Sequence, residues 1–525
     1  MIPRTLDDFR DGGAAASPQP DLAPARLRPT ARALRAAAAV AGLAVIGGYL
    51  CIALARIGYS GHLEILEDNS LVEVHRILAG QQVYVAPSAG YVPDGYPPLY
   101  FAVSAAAASV LGHSYLPLRL VSVAASLACF AVLGRLVHRE TGSRDAGVAA
   151  AGLLAATYFA AGTWFDVGRV DSLFLALSVA GLYAARWACR TRGAIAAGLL
   201  LGAAFCTKQS ALAEGVAVLA MLAAGPGRRL AVAAAAAYAA VVGGSTIALG
   251  LTSHGWYLYY VFREMSQHAL SVSNAGQFWT AELLPALGLA IVAILLAARR
   301  TPLVLLVGCG ALAVESFAAR AQAGSNLNDL LPAYLAVALL AGLAMGGQSP
   351  SLAAGRWVPV AASALVLVQI GVLASGFRLS EAFPPTADRA ADQRLTATAR
   401  ALGGTVAIPA DPGIAVLAGL PPTEDQVAAA DVLHSSDESA KAAFTASLDR
   451  AVSGQQFSAI ITEFHRDLRG FPADLSRYYY ECPQTPLDGA VSVPFSAKAG
   501  ALPVSVWLPI GHGRSCAAVA RTLEP

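Results

Sequence analysis

From Ala36 to Phe377 the chain is a succession of apolar blocks, most of them long enough to cross a bilayer, separated by short basic or Gly/Pro-bearing breaks. A helix needs about 20 apolar residues to span the hydrocarbon layer, so this run calls for a polytopic membrane protein rather than a soluble core. Composition agrees: 56% of the 525 residues are hydrophobic and 13% are charged, against about 25% charged in an average soluble domain. The net charge of +2 supplies no basic field, so nucleic acid is not an expected partner. Residues 1–30 lack the apolar stretch of a cleaved secretory signal. Residues 1–35 therefore read as a disordered cytoplasmic tail, and the block near 36–56 as an uncleaved first helix.

Arginine sets the topology. The tail carries Arg4, Arg10, Arg26, Arg28, Arg32 and Arg35, and later breaks carry Arg135/Arg139/Arg144, Arg186/Arg190/Arg192, Arg228/Arg229, Arg299/Arg300 and Arg356. The positive-inside rule places all of these in the cytoplasm. Inside and outside then alternate over about eleven helices near 36–56, 118–137, 146–165, 172–188, 193–207, 210–224, 230–252, 282–298, 302–321, 329–346 and 357–377. Pro97–Gly112 is short for a span, and counting it would invert every later loop. It reads as a juxtamembrane or re-entrant helix within a first outer loop, 57–117. The same parity puts residues 378–525 outside the cytoplasm. There, short β-like runs (Thr405–Ile408, Ser458–Ile461, Val504–Trp507) alternate with Ala-rich helical stretches, which suggests a small α/β domain. The expected fold is thus an all-α polytopic membrane protein with a small extracytoplasmic α/β domain, in a bacterial-type inner or plasma membrane. Cys482 and Cys516 are the only two cysteines of that domain, and an oxidising compartment would let them pair. No cysteine or histidine set has metal-site spacing.

Chemistry concentrates in the loops placed outside. The first holds His62, Glu64, Glu67, Asp68, Glu73, His75, Arg76 and Asp94 and ends in Tyr91-Val-Pro-Asp-Gly-Tyr-Pro-Pro98. Glu67-Asp68 could supply a general base or a metal ligand; an arbitrary acidic pair is more often a solvated turn. At a membrane edge beside an apolar cavity, however, a carboxylate is raised in pKa and can accept a proton. Asp166, Arg169 and Asp171 form a second cluster, either a structural ion pair or a functional group of charges at membrane depth. Lys208 stands in an apolar surround and needs an anion: Asp171, Glu214 or a ligand phosphate. The stretch 253–281, with His254, Arg263, Glu264 and His268, is aromatic enough for an interface belt or a cover over a lipid-entry groove. Asn326, Asn328 and Asp329 stand at a helix start, where capping is the ordinary role.

The ordered set of Glu67-Asp68, Leu78-Ala-Gly-Gln-Gln-Val-Tyr84, Tyr96-Pro-Pro-Leu-Tyr100, Gly168-Arg-Val-Asp171, Thr207-Lys-Gln-Ser210 and Asn326-Leu-Asn-Asp-Leu-Leu-Pro332 resembles the GT-C superfamily of membrane glycosyltransferases. Within it, the likeness is to the protein O-mannosyltransferase and aminoarabinose transferase group, over roughly 36–377. The resemblance implies a polyprenyl-phosphate-sugar donor, an envelope acceptor (glycan, lipid or protein), and inverting transfer. It also implies a first-outer-loop carboxylate as base. Carried over, Asp68 or Glu67 is the base and Asp171 positions acceptor or sugar. Lys208 and Arg169 hold phosphate; Asp166, Tyr96, His268 and Asn328 are further substrate-binding candidates. The pair reads Glu-Asp rather than Asp-Glu, which leaves the register open by one residue, with Asp68 preferred. A monophosphate leaving group needs no metal, and no cofactor is expected. Two other readings compete: a flippase or transporter of lipid-linked sugars, which should show repeat symmetry that is not evident, and a structural assembly subunit.

Overall fold

The computed structural model describes residues 27–523 apart from 226, 298–300, 347–356, 379–381, 463–467, 469, 483–484, 487–502 and 514. Arg299, Arg300 and Arg356, used above for topology, lie outside the described residues, as does most of the expected tail.

The chain is mostly helical. Helix α1 (Leu27–Arg56) begins inside the stretch read as tail, because Leu27–Arg35 extends the helix by about two and a half turns. After it come α2 (Glu67–Leu78), α3 (Leu99–Leu111), α4 (Tyr115–Thr141), α5 (Arg144–Ala156), α6 (Asp171–Arg186), α7 (Thr191–Thr207), α8 (Ala211–Ala224) and α9 (Arg228–Thr252). Four more follow: α10 (Leu284–Ala297), α11 (Leu303–Arg320), α12 (Leu331–Gly346) and α13 (Val358–Ser375). Among the described residues, seven helices are long and apolar enough to cross a membrane. The segment expected to be re-entrant forms a helix of 13 residues, α3, too short to cross.

One expected span is cut short. The block near 146–165 stops being helical at Ala156, and residues 157–170 run as turns. Gly162 and Thr163 both take positive φ, 68° and 64°, which for a β-branched residue is strained backbone. What holds it there is Arg56, whose Nη2 donates to Thr163 O at 2.8 Å and to Asp166 Oδ1 at 2.7 Å, with Nε donating to Asp166 Oδ2 at 2.6 Å. Both side chains are fully buried. The end of α1 thereby fixes where the turn segment lies.

Small residues bring these helices together. Gly152 of α5 lies so close to Gly42 of α1 that a Cβ there would overlap the facing backbone. Small-residue contacts of this kind let membrane helices pack without a hydrophobic driving force. Gly48, on the same α1, has open space around it.

The C-terminal part mixes helices with a five-stranded sheet. Its strands are β1 (Val406–Ala407), β2 (Ala459–Thr462), β3 (Tyr479–Glu481), β4 (Thr485–Pro486) and β5 (Pro503–Pro509). The order is β1-β2-β5-β3, with β4 on β5; only β1–β2 is parallel. The three β-like runs of the sequence become β1, β2 and β5. Around them lie α14 (Thr386–Leu402), α15 (Pro412–Ala418), α16 (Gln426–His434) and α17 (Glu438–Ser453). Cys482 is disulfide-bonded to Cys516.

The α1–α5 contact gives a direct test. Gly152→Leu should destabilise the protein by about 1–3 kcal/mol through overpacking, read as a lower unfolding midpoint in detergent. Gly48→Leu should leave the midpoint where it is. Equal effects would mean that the helices do not meet at Gly152.

Candidate active site

The first loop, 57–98, is turned inward by Arg119. This arginine lies in α4 and is fully buried. Its Nε and Nη2 donate to Glu67 Oε1 and Oε2 at 2.9 and 2.7 Å. The same guanidinium donates to the carbonyls of Tyr59 and Gly61, each at 2.6 Å. Glu67 also accepts from the backbone N–H groups of Leu63 and Gly168, both at 2.6 Å. Burial opposes ionisation, but Arg119 and these amides outweigh it and hold the carboxyl below its usual range. A carboxylate with every lone-pair direction taken is an anchor and a poor proton acceptor.

Its neighbour Asp68 is placed differently. It is fully buried and contacts His62 Nδ1 and the hydroxyl of Tyr115. His62 Nδ1 also lies 3.0 Å from Asp411 Oδ1, so the C-terminal part reaches into the first loop. Close approach is needed: a Cβ on Gly413, two residues after Asp411, would overlap both Asp68 and the Tyr115 hydroxyl. Burial raises the pKa of Asp68, and Asp411 adds to that, against the pull of His62. Burial opposes charge on His62, yet the two carboxylates outweigh it and hold the imidazole well above its usual pKa. His62, Asp68 and Asp411 each place one ligand atom within 4.8 Å of the others. That is the donor set of a divalent-ion site as well as of an imidazolium between two carboxylates.

A second polar network lies beside the first. Arg169 Nη1 donates to Leu66 O at the start of α2, and Nη2 to the Tyr96 hydroxyl, each at 3.2 Å. Asp94 Oδ2 lies 3.7 Å from Nη1 and Glu64 Oε2 lies 3.9 Å from Nε. Burial pushes Glu64 up to about 7, with Arg169 pulling the other way. Lys208, at the end of α7, donates to Asp171 Oδ1 at 2.9 Å and to Asp329 Oδ1 at 3.2 Å. Asn328 donates to the same oxygen of Asp171 at 3.1 Å. An ammonium has three donors, and two of those on Lys208 are used. Arg169 Nε and Asp171 Oδ2 are buried without a hydrogen-bond partner among the described residues. The network is built around cations with donors to spare.

The structure therefore brings Tyr96, Arg169, Asp171, Lys208 and Asn328 together. Of the anions considered for Lys208, Asp171 is in contact; Glu214 is buried elsewhere, 37 residues being the separation across which Asp171 is reached. Asp166 is not part of this network: Arg56 and the Tyr158 hydroxyl hold it. His268 is 3.6 Å from Asp431 of α16 and stands apart as well. Sequence reading missed Arg56, Arg119, Tyr115 and Asp411. Arg119 left a signal, a lone arginine within an apolar block, which is costly unless paired; Asp411 left none.

Residues 95–257 match the family model for dolichyl-phosphate-mannose-protein mannosyltransferases. The match covers Tyr96, Arg119, Arg169, Asp171 and Lys208 but begins after Glu67 and Asp68. ArnT from Cupriavidus metallidurans in the apo state is similar with a TM-score of 0.59 at 13% identity, over 92% of this chain and 98% of that one. The same protein bound to undecaprenyl phosphate gives 0.57 at 12%, over 88% and 97%. The Archaeoglobus fulgidus oligosaccharyltransferase is more distant, at 0.48 and 11%, over 84% and 73%. No curated protein sequence matches the chain.

Arg119→Leu should cost about 3–5 kcal/mol, because it strands the buried Glu67 carboxylate. The double variant Arg119→Leu/Glu67→Leu should recover much of that loss. Additive losses in thermal unfolding would mean that the two side chains act independently. The chain thus shares its fold with ArnT, and the segment that carries the cation network matches the mannosyltransferase family model.

Proposed function

We propose that the protein transfers a sugar from a polyprenyl-phosphate donor to an envelope acceptor, with inversion, on the extracytoplasmic side of a bacterial-type membrane. One observation carries this reading: the first-loop carboxylates Glu64 and Asp94 face Arg169, whose electrostatic neighbour Asp171 is paired with Lys208. A similar fold, that of ArnT, is known with undecaprenyl phosphate bound.

In the proposed step Asp68 takes the acceptor O–H proton, and the freed oxygen attacks the anomeric carbon from the face opposite phosphate. The anomeric C–O bond breaks, its electron pair stays on the phosphate oxygen, and the polyprenyl phosphate departs. Charge thus grows on phosphate, where fixed cations in a dry site lower the barrier. Arg169 Nε and the remaining Lys208 N–H are the donors for it. Asp171 and Asn328 set the Lys208 ammonium in place, and Tyr96 does the same for Arg169. Asp68 is favoured over Glu67 as base because Glu67 is fully engaged by Arg119. Glu64 is a second reading: its carboxyl, raised to about 7, lies 3.9 Å from Arg169.

The topology of the proposal is about eleven crossings: a cytoplasmic N-terminus, membrane helices within 36–377, and 378–525 outside as a separate domain. The Cys482–Cys516 disulfide supports that side, since such bonds persist in oxidising compartments. The proposal takes His62 as an imidazolium between Asp68 and Asp411, an arrangement that competes with a divalent ion for the same three ligand atoms.

The test is sugar transfer in reconstituted vesicles, using radiolabelled polyprenyl-phosphate sugars and envelope extract as acceptor. Asp68→Asn should lower transfer about 10²–10⁴-fold, the usual worth of a positioned base, with folding intact. Lys208→Met should act at least as strongly. If Glu64→Gln is the inactivating change and Asp68→Asn is not, the base is Glu64. Label that changes leaflet without leaving the lipid would make the protein a flippase and end this proposal. Chelation with EDTA should leave the rate unchanged. Loss that added zinc or manganese restores would assign the His62–Asp68–Asp411 cluster to a metal.

A further inference from the structure

A cavity of about 570 Å³ lies between the first loop and the C-terminal part. That is the size range of small-molecule sites, roughly 300–1,000 Å³. One wall is Tyr59, Ser114 and Tyr115; the other is Gln393, Thr396 and Leu417. Tyr115 lines the cavity and also donates its hydroxyl to Asp68, so the cavity adjoins the proposed base. Tyr59 likewise turns its hydroxyl away, to Asp392 Oδ2 at 2.5 Å. With both hydroxyls engaged, the tyrosines present ring surface to the space.

The lining decides what can bind. Among the described residues Arg400 is its one charged side chain, and that guanidinium donates to Leu417 O at 3.0 Å and Ala418 O at 3.4 Å, at the end of α15. Among the described residues the lining holds no cluster of cations for a phosphate and no carboxylate for an amine. What remains is aromatic surface interleaved with the hydroxyls of Ser60, Ser114 and Thr396 and the Gln393 amide. Such a lining suits a neutral ring that offers C–H faces and hydroxyl edges. The position is also informative: the wall residues 57–60 follow the last turn of α1, and 114–116 open α4. In the proposed topology both are at the outer membrane boundary.

We propose that this cavity is the acceptor subsite and takes a neutral, hydroxyl-bearing saccharide, with the C-terminal domain supplying half of it. The inference rests on the reading of Asp68 as base. It also gives the C-terminal domain a role, selecting the acceptor while the membrane helices hold the donor.

Full-length protein in lipid nanodiscs tests the idea in two ways. Free methyl glycosides and short oligosaccharides, and the same saccharides on a diacylglycerol anchor, are offered as acceptors to wild type, Thr396→Trp, Leu417→Trp and Thr396→Ala. The tryptophan variants should lose at least tenfold in acceptor kcat/KM while retaining undecaprenyl-phosphate binding; Thr396→Ala, which removes one lining hydroxyl without filling the space, should lose a smaller factor. Transfer to free saccharide identifies a soluble or polymeric acceptor, and transfer to the anchored form alone identifies a lipid-borne one. Saccharide binding is also followed without donor, by saturation-transfer NMR, and should vanish in Thr396→Trp. Binding without any transfer would retire the transferase reading and keep the cavity. Unchanged kcat/KM in both tryptophan variants, or no saccharide binding to wild type, would overturn the cavity assignment alone.

Discussion

The bidentate pair between Glu67 and Arg119 is the contact on which the candidate site depends. Neither partner sees solvent, and a buried ion pair is worth having only when all its remaining donors and acceptors are met. Here they are met by the first loop's own backbone: carbonyls from Tyr59 and Gly61 for the guanidinium, amides from Leu63 and Gly168 for the carboxylate. One pair therefore joins α4, the start of α2 and the loop that carries Arg169. Removing it would take away the contact that ties α4 to the start of α2 and to Gly168, leaving the first loop held by Arg169 and Tyr115.

With that anchor in place, adjacent acidic residues have opposite tasks. Glu67 is held below its usual pKa by a cation and amides, while Asp68, one residue on, is raised by burial. Separate environments on neighbouring carboxylates are the ordinary way in which a site divides fixed charge from proton transfer. The cations are divided too. Arg56 and Arg119 have a structural carboxylate each, whereas Arg169 and Lys208 keep donors unspent and lie against one another through Asp171 and Tyr96.

Much of the helical layout was legible because length and hydropathy in a bilayer leave few alternatives. Helix α7 ends at Thr207, as the sequence suggests, and Lys208 finds Asp171. The early end of α5 was not legible. It follows from a positive φ at Thr163 and from Arg56, 110 residues away from Asp166, and neither feature leaves a mark in local periodicity. The same holds for Tyr59 and Asp392, separated by 333 positions, and for Asp411 beside His62. Acidic residues of the first loop could be named as candidates, but which of them is locked depends on arginines contributed by helices far along the chain.

The contact of Asp411 and Gly413 with His62 and Asp68 has a consequence for biogenesis. The membrane helices and both cations are made before residue 411 emerges from the ribosome, so the cation network can assemble early. The wall around Asp68 cannot. A nascent or prematurely terminated chain would have Arg169 and Lys208 in place while His62 and Asp68 lack the Asp411 contact and the cavity lacks one wall. Translation order thus completes the Lys208 and Arg169 contacts first and closes the surroundings of Asp68 last.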